Sequence, residues 1–382
     1  MAQPFNMSLV QRGARLRRSP YFDATLRDGC RGYTVYNHMF LPIKYADFES
    51  EHQRLLEDVT VWDVSVERQV EITGPDAFAL TNMLTPRDLT KCAVGQGKYV
   101  IITAPDGGII NDPVLLRLGE NHFWLALADS DVLLWAKGVA HGLGLDVEIG
   151  EPDVSPLQIQ GPKSKDVVSA LFGDEVLDLK YYWFMETDLD GIPVLITRTG
   201  WSGEVGYEIY LRDGSRGVEL WDRVLEAGKP HNIAPTGPSD IRRIEAGILN
   251  YGIDMTIDNN PFEVGLGWQV NLDQEADFIG REALARIKEV GVDRILAGVK
   301  ISGDPLDLNM DRWPVRAREH QVGHITSAVY SPRMSVNIGY AMVGAEHAEI
   351  GTSLTVQGPG GDVDAVVVPK PFVDPGKDIP KS

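Results

Sequence analysis

Hydrophobic and polar positions alternate along this chain in short blocks whose period changes. Gln69–Thr73 sets Val70 and Ile72 on one side, the two-residue repeat of a half-buried strand. Gly74-Pro75 follows, and Ala77, Leu80 and Leu84 then form an apolar stripe at helical spacing. Tyr99–Thr103 and Ile109–Leu118 read as strands joined by the turn Pro105-Asp106-Gly107-Gly108, which predicts a hairpin. Phe123–Leu127 predicts another strand. Asp129 or Ser130 then caps a helix begun by Val132, Leu133 and Trp135.

A related order returns later. Leu157–Ile159 is a short strand, and Gly161-Pro162 opens a helix. Val194–Thr197 and Tyr207–Leu211 are strands flanking a glycine-rich turn, and Val218–Leu225 is helical. The two Gly-Pro steps, each between a strand and a helix, hint at an internal duplication. Past Lys288 the texture changes to short β-rich runs: Ile295–Ile301, Val322–Tyr330, Ile338–Val343, Ser353–Val356 and Ala365–Val368. Such runs, separated by Gly, Pro and Asp, predict a small antiparallel barrel or sandwich. The chain thus divides into residues 1–285, with two similar α+β subdomains, and a β-barrel over 286–382. Asp374–Ser382 is expected to fray.

Composition narrows the function classes. With 36 basic and 55 acidic residues, the net charge is −19. That field repels nucleic acid and anionic membrane, so neither is expected as a partner. No stretch of about 18 apolar residues predicts a membrane-spanning helix. The start lacks a secretory apolar segment. Its Arg12, Arg15, Arg17 and Arg18 mimic a transit peptide, but Arg18-Ser19-Pro20-Tyr21-Phe22 leads directly into apparent structure. An ordered arm and a cytoplasmic location are therefore expected. Cys30 and Cys92 form no CxxC pair and read as small buried hydrophobes.

The chain has no GxGxxG after a strand, no P-loop, no HExxH and no GxSxG, so neither a metal nor a serine nucleophile is expected. Three segments stand out. Asp112 sits in an otherwise apolar strand, where a carboxylate is costly unless a ligand supplies N–H groups; the alternative is a surface Asp on an edge strand beside Pro113. Arg198–Glu208 packs three glycines against Trp201 and Tyr207, flat faces for a heterocycle, and ends in Glu208, a carboxylate suited to a pterin N–H edge. The alternative is a packed hairpin. Asp240–Gly247 is a helix capped by Ser239 or Asp240, with Ile241, Ile244 and Ile248 as its buried face. Its arginines either reach a carboxylate or pair along the surface, Arg242 with Glu245.

These segments together resemble the folate-binding T-protein family of the glycine cleavage system. Val61-Trp62-Asp63-Val64-Ser65, Gly107-Gly108-Ile109 with Asp112, Arg198-Thr199-Gly200-Trp201-Ser202-Gly203-Glu204, Arg243-Ile244-Glu245-Ala246-Gly247 and Phe278-Ile279-Gly280-Arg281-Glu282-Ala283-Leu284 match its motifs in order. Other segments resemble the dimethylsulfoniopropionate (DMSP) demethylase branch: Tyr33–Met39, Glu67–Glu71, Asn111–Val114, Ala128–Gly138 and Gln160–Ser164. Two places depart from that branch. Ser202-Gly203-Glu204-Val205-Gly206 stands where demethylases carry Ser-Lys-Gln-Gly-Gly, and Asp240-Ile241-Arg242-Arg243 where they carry Leu-Ile-Glu-Arg.

The resemblance implies an α+β folate-binding fold with antiparallel sheets and a C-terminal barrel. It implies an enzyme that moves a methyl group from a small onium compound to tetrahydrofolate. Asp112 falls on the catalytic carboxylate; Tyr99, Trp201, Glu208 and Arg243 fall on folate-site positions. Trp201 departs from the Tyr usual in T-proteins. Tyr36 and Trp62 are candidates to surround the onium. The alternatives are demethylation of another methylated amine, or aminomethyl transfer with a lipoyl carrier protein as partner. A non-enzymatic folate-binding scaffold is the third; its Lys-Gly-Cys-Tyr motif is replaced here by Pro261–Gly267.

Overall fold

Two sheets and a barrel organise the computed structural model, which describes residues 13–382. Arg12, part of the arginine-rich start, lies outside the described residues. The first sheet is antiparallel, with strands in the order Glu148–Gly150, Gln69–Thr73, His122–Ala126, Val114–Gly119 and Gly97–Tyr99. The second runs Phe184–Leu189, Ile192–Thr197, Gly206–Leu211, Ser155–Gln160, Thr60–Asp63 and Ala234–Pro235, antiparallel but for the last pair. The barrel closes through Arg294–Ile301, Val336–Gly344, His320–Ser331, Pro314–Ala317, Ser353–Gly358 and Gly361–Val368. This is the α+β class with antiparallel sheets and a C-terminal barrel that the sequence predicts.

Each sheet buries one face under helices. Ala77–Leu84 and Val132–Leu143 lay Ala77, Leu80, Val132 and Ala136 on Val70, Ile72, Phe123 and Leu125. Ser164–Phe172 and Gly217–Gly228 lay Val167, Val168, Leu220 and Trp221 on Val61, Leu157, Ile159 and Ile209. The opposite faces turn toward each other, and Leu116, Trp124 and Ala126 pack on Leu195 and Tyr210. The barrel's outer side, through Leu296, Val329, Ile338 and Tyr340, covers Ile101, Ile109 and Ile244. Three apolar layers therefore enclose whatever lies between the sheets.

The structure revises several sequence expectations. The predicted hairpin is broken into two pairings, Ile102–Thr103 with Ile109–Asn111 and Gly97–Tyr99 with Val114–Gly119. The helix from Val132 has Asp131, not Asp129 or Ser130, at its N-cap; Asp129 and Ser130 are spent on other contacts. Pro314–Ala317 is a barrel strand the apolar pattern did not reveal, because Pro314 and two half-buried positions leave no clear alternation. Residues 374–382 are pinned rather than frayed: Arg198 donates to the carbonyls of Pro380 and Ser382. In Asp240–Glu245, Arg242, Arg243, Ile244 and Glu245 are the buried residues, and Ile241 and Ile248 are less covered. The charged face of that helix is the inner one. Arg242 does pair with Glu245, at 3.8 Å, but both side chains are buried rather than on the surface.

Candidate active site

The break in the first sheet creates the position of Asp112. Pro113 has no N–H to give a ladder, so pairing stops at Asn111 and resumes at Val114. Asn111 fixes the step. Its Nδ2 donates to Ala128 O at 2.9 Å and Ser130 Oγ at 2.7 Å, and its Oδ1 accepts from Ala128 N at 3.0 Å. The Tyr99 hydroxyl donates to Asp112 Oδ2 at 2.9 Å. Asp112 Oδ1 is buried and has no partner. Burial pushes this carboxyl up to about 7; the Tyr99 hydrogen bond works against that, and the charge of Asp254 adds to it. An enclosed carboxylate oxygen without a donor carries a desolvation cost of roughly 1–3 kcal/mol. The edge-strand alternative for Asp112 is thereby excluded.

The second sheet contributes a polar row on its inner face. Trp62, Gln158, Glu208 and Thr197 are cross-strand neighbours in register. Alternation sends Tyr207 and Ile209 to the helix-covered face and Glu208 and Tyr210 to the inner one. Tyr207, a candidate stacking face from sequence, is therefore a core residue remote from Glu208's side of the sheet. Glu208 Oε1 accepts from Gln158 Nε2 at 2.9 Å, and Oε2 from the Tyr210 hydroxyl at 2.7 Å. Burial pushes its carboxyl above the usual range against these bonds.

Glu67 joins this group, and sequence reasoning missed it. Its carboxylate makes no hydrogen bond or ion pair among the described residues. Burial, then the charges of Glu208 and Asp112, push it well above the usual range. The only signal was its place in the Glu67-Arg68-Gln69 segment. Tyr36 faces the same group: burial, then Asp112, Glu67 and Asp129, raise its hydroxyl. The neighbouring Asn37 ties the region together. Its backbone N–H donates to Asp129 Oδ1 at 2.7 Å, and its Nδ2 to Val66 O and Ala128 O, both at 3.0 Å. Three demethylase-like segments, at 33–39, 111–114 and 128–138, thus meet around Asn37 and Asn111, and Val66, which Asn37 also holds, directly precedes the fourth at 67–71.

Trp201 keeps partial exposure, backed by two of the other candidates. The Arg243 guanidinium carbon lies 5.7 Å from the Trp201 ring centroid. Arg243 donates to Asp240 and Asp254 at 2.7 Å each and to Ser327 Oγ at 2.9 Å. It has no exposed surface. Trp62 is likewise fully buried and packs with Leu55 and Val64 against Trp201. Tyr99, Trp201, Glu208, Asp112, Tyr36 and Glu67 are the side chains gathered at the inner surface; Arg243 and Trp62 stand behind Trp201.

The loop carrying Trp201 is locked from beneath. Gln160 threads its amide between Gly200 and Gly206, where any Cβ would lie 2.1 and 2.3 Å from it. Arg242 Nε donates to Glu204 at 2.7 Å, both buried, and Arg333 reaches the same oxygen at 3.2 Å. Breaking such a pair strands a buried charge. Arg242→Ala is expected to lower stability by roughly 3–5 kcal/mol in urea unfolding, with far less loss in Arg242→Met/Glu204→Leu.

With this geometry in view, comparison with known proteins is decisive. Residues 21–274 match the GCVT N-terminal domain and residues 294–374 the glycine cleavage T-protein C-terminal barrel domain. The chain belongs to the glycine cleavage T-protein family. It is 40% identical to the dimethylsulfoniopropionate demethylase of Ruegeria pomeroyi, over 93% of this chain and 97% of that one. It is 31% identical to an aminomethyltransferase of Bacillus cytotoxicus, over 94% and 98%. The fold matches the glycine cleavage system aminomethyltransferase T of Bartonella henselae with a TM-score of 0.84 at 23% identity, covering 94% of this chain and 98% of that one. The chain is an enzyme of this family, a one-carbon transferase with tetrahydrofolate as the acceptor. Among the described residues no helix is long and apolar enough to cross a membrane.

Proposed function

We propose that this enzyme moves a methyl group from a small cationic onium compound, DMSP or a close analogue, to tetrahydrofolate, giving 5-methyltetrahydrofolate. One observation carries the reading: the buried carboxyl groups of Glu67, Asp112 and Glu208 lie within reach of one another's charge, near Tyr36, and among the described residues no cation pairs Glu67 or meets Asp112 Oδ1. Like charges so placed repel unless ligands bring donors or positive charge. A reduced pterin offers N–H groups, and an onium offers the charge.

The residues present fit both. Glu208, held by Gln158 and Tyr210, suits the N–H edge of a pterin. Asp112 Oδ1 suits an N–H beside the accepting nitrogen. Tyr99 holds Asp112 in place, and Trp201 offers a face held by Arg243 and Trp62. Bound tetrahydrofolate supplies the ring nitrogen that accepts the methyl group. The protein's share is alignment, on the order of 7–11 kcal/mol in favourable cases, and exclusion of water. Asp112 also offsets the positive charge that develops as the methyl transfers. Tyr36 and Trp201 add cation–π attraction of about 0.5–2 kcal/mol each. The donor's leaving group departs neutral, so no acid is required.

Similarity supports the methyl reading over its alternative: 40% identity to a demethylase against 31% to an aminomethyltransferase. The segments that hold Tyr36, Glu67 and Asp112 are the demethylase-like ones. The two departures from the demethylase pattern collapse into one contact, the Arg242–Glu204 pair. Where demethylases carry Lys and Gln in the loop and Glu on the helix, this chain has Gly203 and Glu204 in the loop and Arg242 on the helix. At both places this chain carries the T-protein form, so DMSP is not singled out among methylated onium donors.

A panel of DMSP, glycine betaine and dimethylglycine, each with tetrahydrofolate, tests the reading; a methylated folate should form with at least one onium. Formation of product only with an aminomethylated lipoyl carrier, with release of ammonia, would establish the alternative. Glu67→Gln is expected to raise the donor KM about tenfold or more while the folate Kd stays within about twofold. Because Glu67's carboxyl is raised in the free protein, a cationic donor binds more tightly as pH rises. Equal effects on donor and folate would reassign Glu67 to the folate.

A further inference from the structure

One element beside the site belongs to neither large sheet. Gly32–Tyr36 and Met39–Lys44 form a two-stranded hairpin of their own. Such a hairpin is marginal in water, so its outside contacts decide where it sits. Its base is aromatic: the Phe22 ring centroid lies 5.3 Å from that of Tyr33 and 5.5 Å from that of Phe40. Its middle rests on a small cluster, Met39 and Leu41 with Val66, that is separate from the cores beneath the sheets. Val35 is 46% exposed, so the other face is open to solvent.

The tip is held by polar contacts instead. Asn37 and His38 have φ of 47° and 59°, the left-handed pair that a two-residue turn between Tyr36 and Met39 requires. The Asn37 side chain is buried, its Nδ2 donating among the carbonyls of Val66, Leu127 and Ala128. A second hold comes from Arg17. Its N–H donates to His38 O at 2.8 Å, its carbonyl accepts from Phe40 N at 3.1 Å, and its Nη2 donates to Glu151 Oε1 at 2.6 Å. Arg68 Nε donates to the other oxygen of Glu151 at 3.0 Å. Both holds therefore end on the residues that flank Glu67: Asn37 on Val66, and Arg17, through Glu151, on Arg68. Tyr36, next to the tip, has its hydroxyl in the field of Asp112 and Glu67. Tyr36, Glu67 and Asp112 each keep some accessible surface although burial perturbs all three, so they face a hollow rather than bulk water.

We infer that the Gly32–Lys44 hairpin is the gate through which the cationic donor reaches Glu67, and that Asn37 is the positioning residue that sets Tyr36 beside the donor when the gate is shut. This rests on the methyl-transfer reading, with the donor at Tyr36 and Glu67. The aromatic base serves as the hinge. The tip closes through a few hydrogen bonds that water replaces at small net cost, so it opens without disturbing either sheet. Closure then excludes water from beside the donor.

The gate is tested on the full chain with DMSP and glycine betaine as donors. Hydrogen exchange should be faster at the Asn37 and Phe40 amides than in Gln69–Thr73 and Gly206–Leu211, and should slow when donor binds. Arg17→Ala loosens a part-exposed ion pair; it should speed donor association and dissociation together by about two- to fivefold, with Kd within about twofold. Asn37→Gly keeps the turn and removes the side-chain hold; it should raise the donor KM about tenfold or more while the folate Kd stays within about twofold, which also shows that the variant is folded. Donor rates unmoved in Arg17→Ala, with a donor KM unmoved in Asn37→Gly, would overturn the gate and leave the methyl-transfer reading intact. Equal losses for donor and folate in Asn37→Gly would make the tip a structural support and overturn it as well. Absence of methylated folate with every onium would overturn the methyl-transfer reading, and the gate with it.

Discussion

Asp112→Asn is expected to bind tetrahydrofolate and to turn over about 100-fold or more slowly than wild type. The substitution keeps the shape and one carbonyl oxygen for the Tyr99 hydroxyl, so the pocket wall survives. It removes the negative charge that offsets charge developing during methyl transfer, and loss of one such preorganised group typically costs 10²–10³ in kcat. The pH dependence has a definite sign. Burial raises the Asp112 carboxyl to about 7 in the free enzyme. With the ionised form as the proposed working one, kcat/KM is expected to rise with pH through about 7, and the variant to lose that rise. A near-normal kcat in Asp112→Asn would remove this residue from the chemistry.

The same group sets a cost in stability. Its folded pKa, about 7, lies above its unfolded value of about 3.9, so the native state holds the proton more tightly. The stabilisation this gives is full below the unfolded value and is lost as pH rises through about 7. Asn does not ionise. Asp112→Asn should therefore melt above wild type at about pH 8, and the gap should close as pH falls below 7. Lower activity with higher alkaline stability is the expected mark of a strained functional carboxylate.

Glu208→Gln is expected to raise the Kd for tetrahydrofolate about 10- to 100-fold. A hydrogen bond to a charged acceptor contributes roughly 1.5–3 kcal/mol, and the neutral amide also offers donors where acceptors are needed. The Gln158 and Tyr210 bonds to Glu208 show that the carboxylate is held in one orientation. Glu208→Ala weakens folate as well, and adds a void beside Tyr210. Isothermal titration separates this from catalysis: Kd moves with Glu208 and kcat with Asp112. An unchanged Kd in Glu208→Gln would make Glu208 a structural residue.

Much of this arrangement was legible in the sequence, and the reasons for success and failure are specific. Gln69–Thr73, the Gly-Pro helix starts and the five β-rich runs were readable because their apolar positions face one large helix-covered or barrel core. Asp112 stood out because a carboxylate inside apolar surroundings violates that pattern. Tyr207 misled because aromatic content was weighed without strand parity; one residue along, Glu208 faces the other way. Asp240–Glu245 misled because Ile241, Ile244 and Ile248 drew attention from its arginines. Their burial depends on Glu204, Asp254 and Ser327, which come from three distant segments. Glu67 was invisible for the same reason: its meaning lies in Asp112 and Glu208, 45 or more positions away. The tail at 374–382 reads as polar and loose, yet Arg198 holds it.

The most direct test of the central claim follows the methyl carbon itself. Purified enzyme is mixed with tetrahydrofolate and an onium donor labelled with ¹³C in its methyl group, and the folate product is examined by NMR and mass spectrometry. The account predicts ¹³C in the N5-methyl group of 5-methyltetrahydrofolate, formed one-for-one with the demethylated donor and about 100-fold or more slowly in Asp112→Asn. Unlabelled folate with every onium tried, while an aminomethylated lipoyl carrier yields methylenetetrahydrofolate and ammonia, would contradict it.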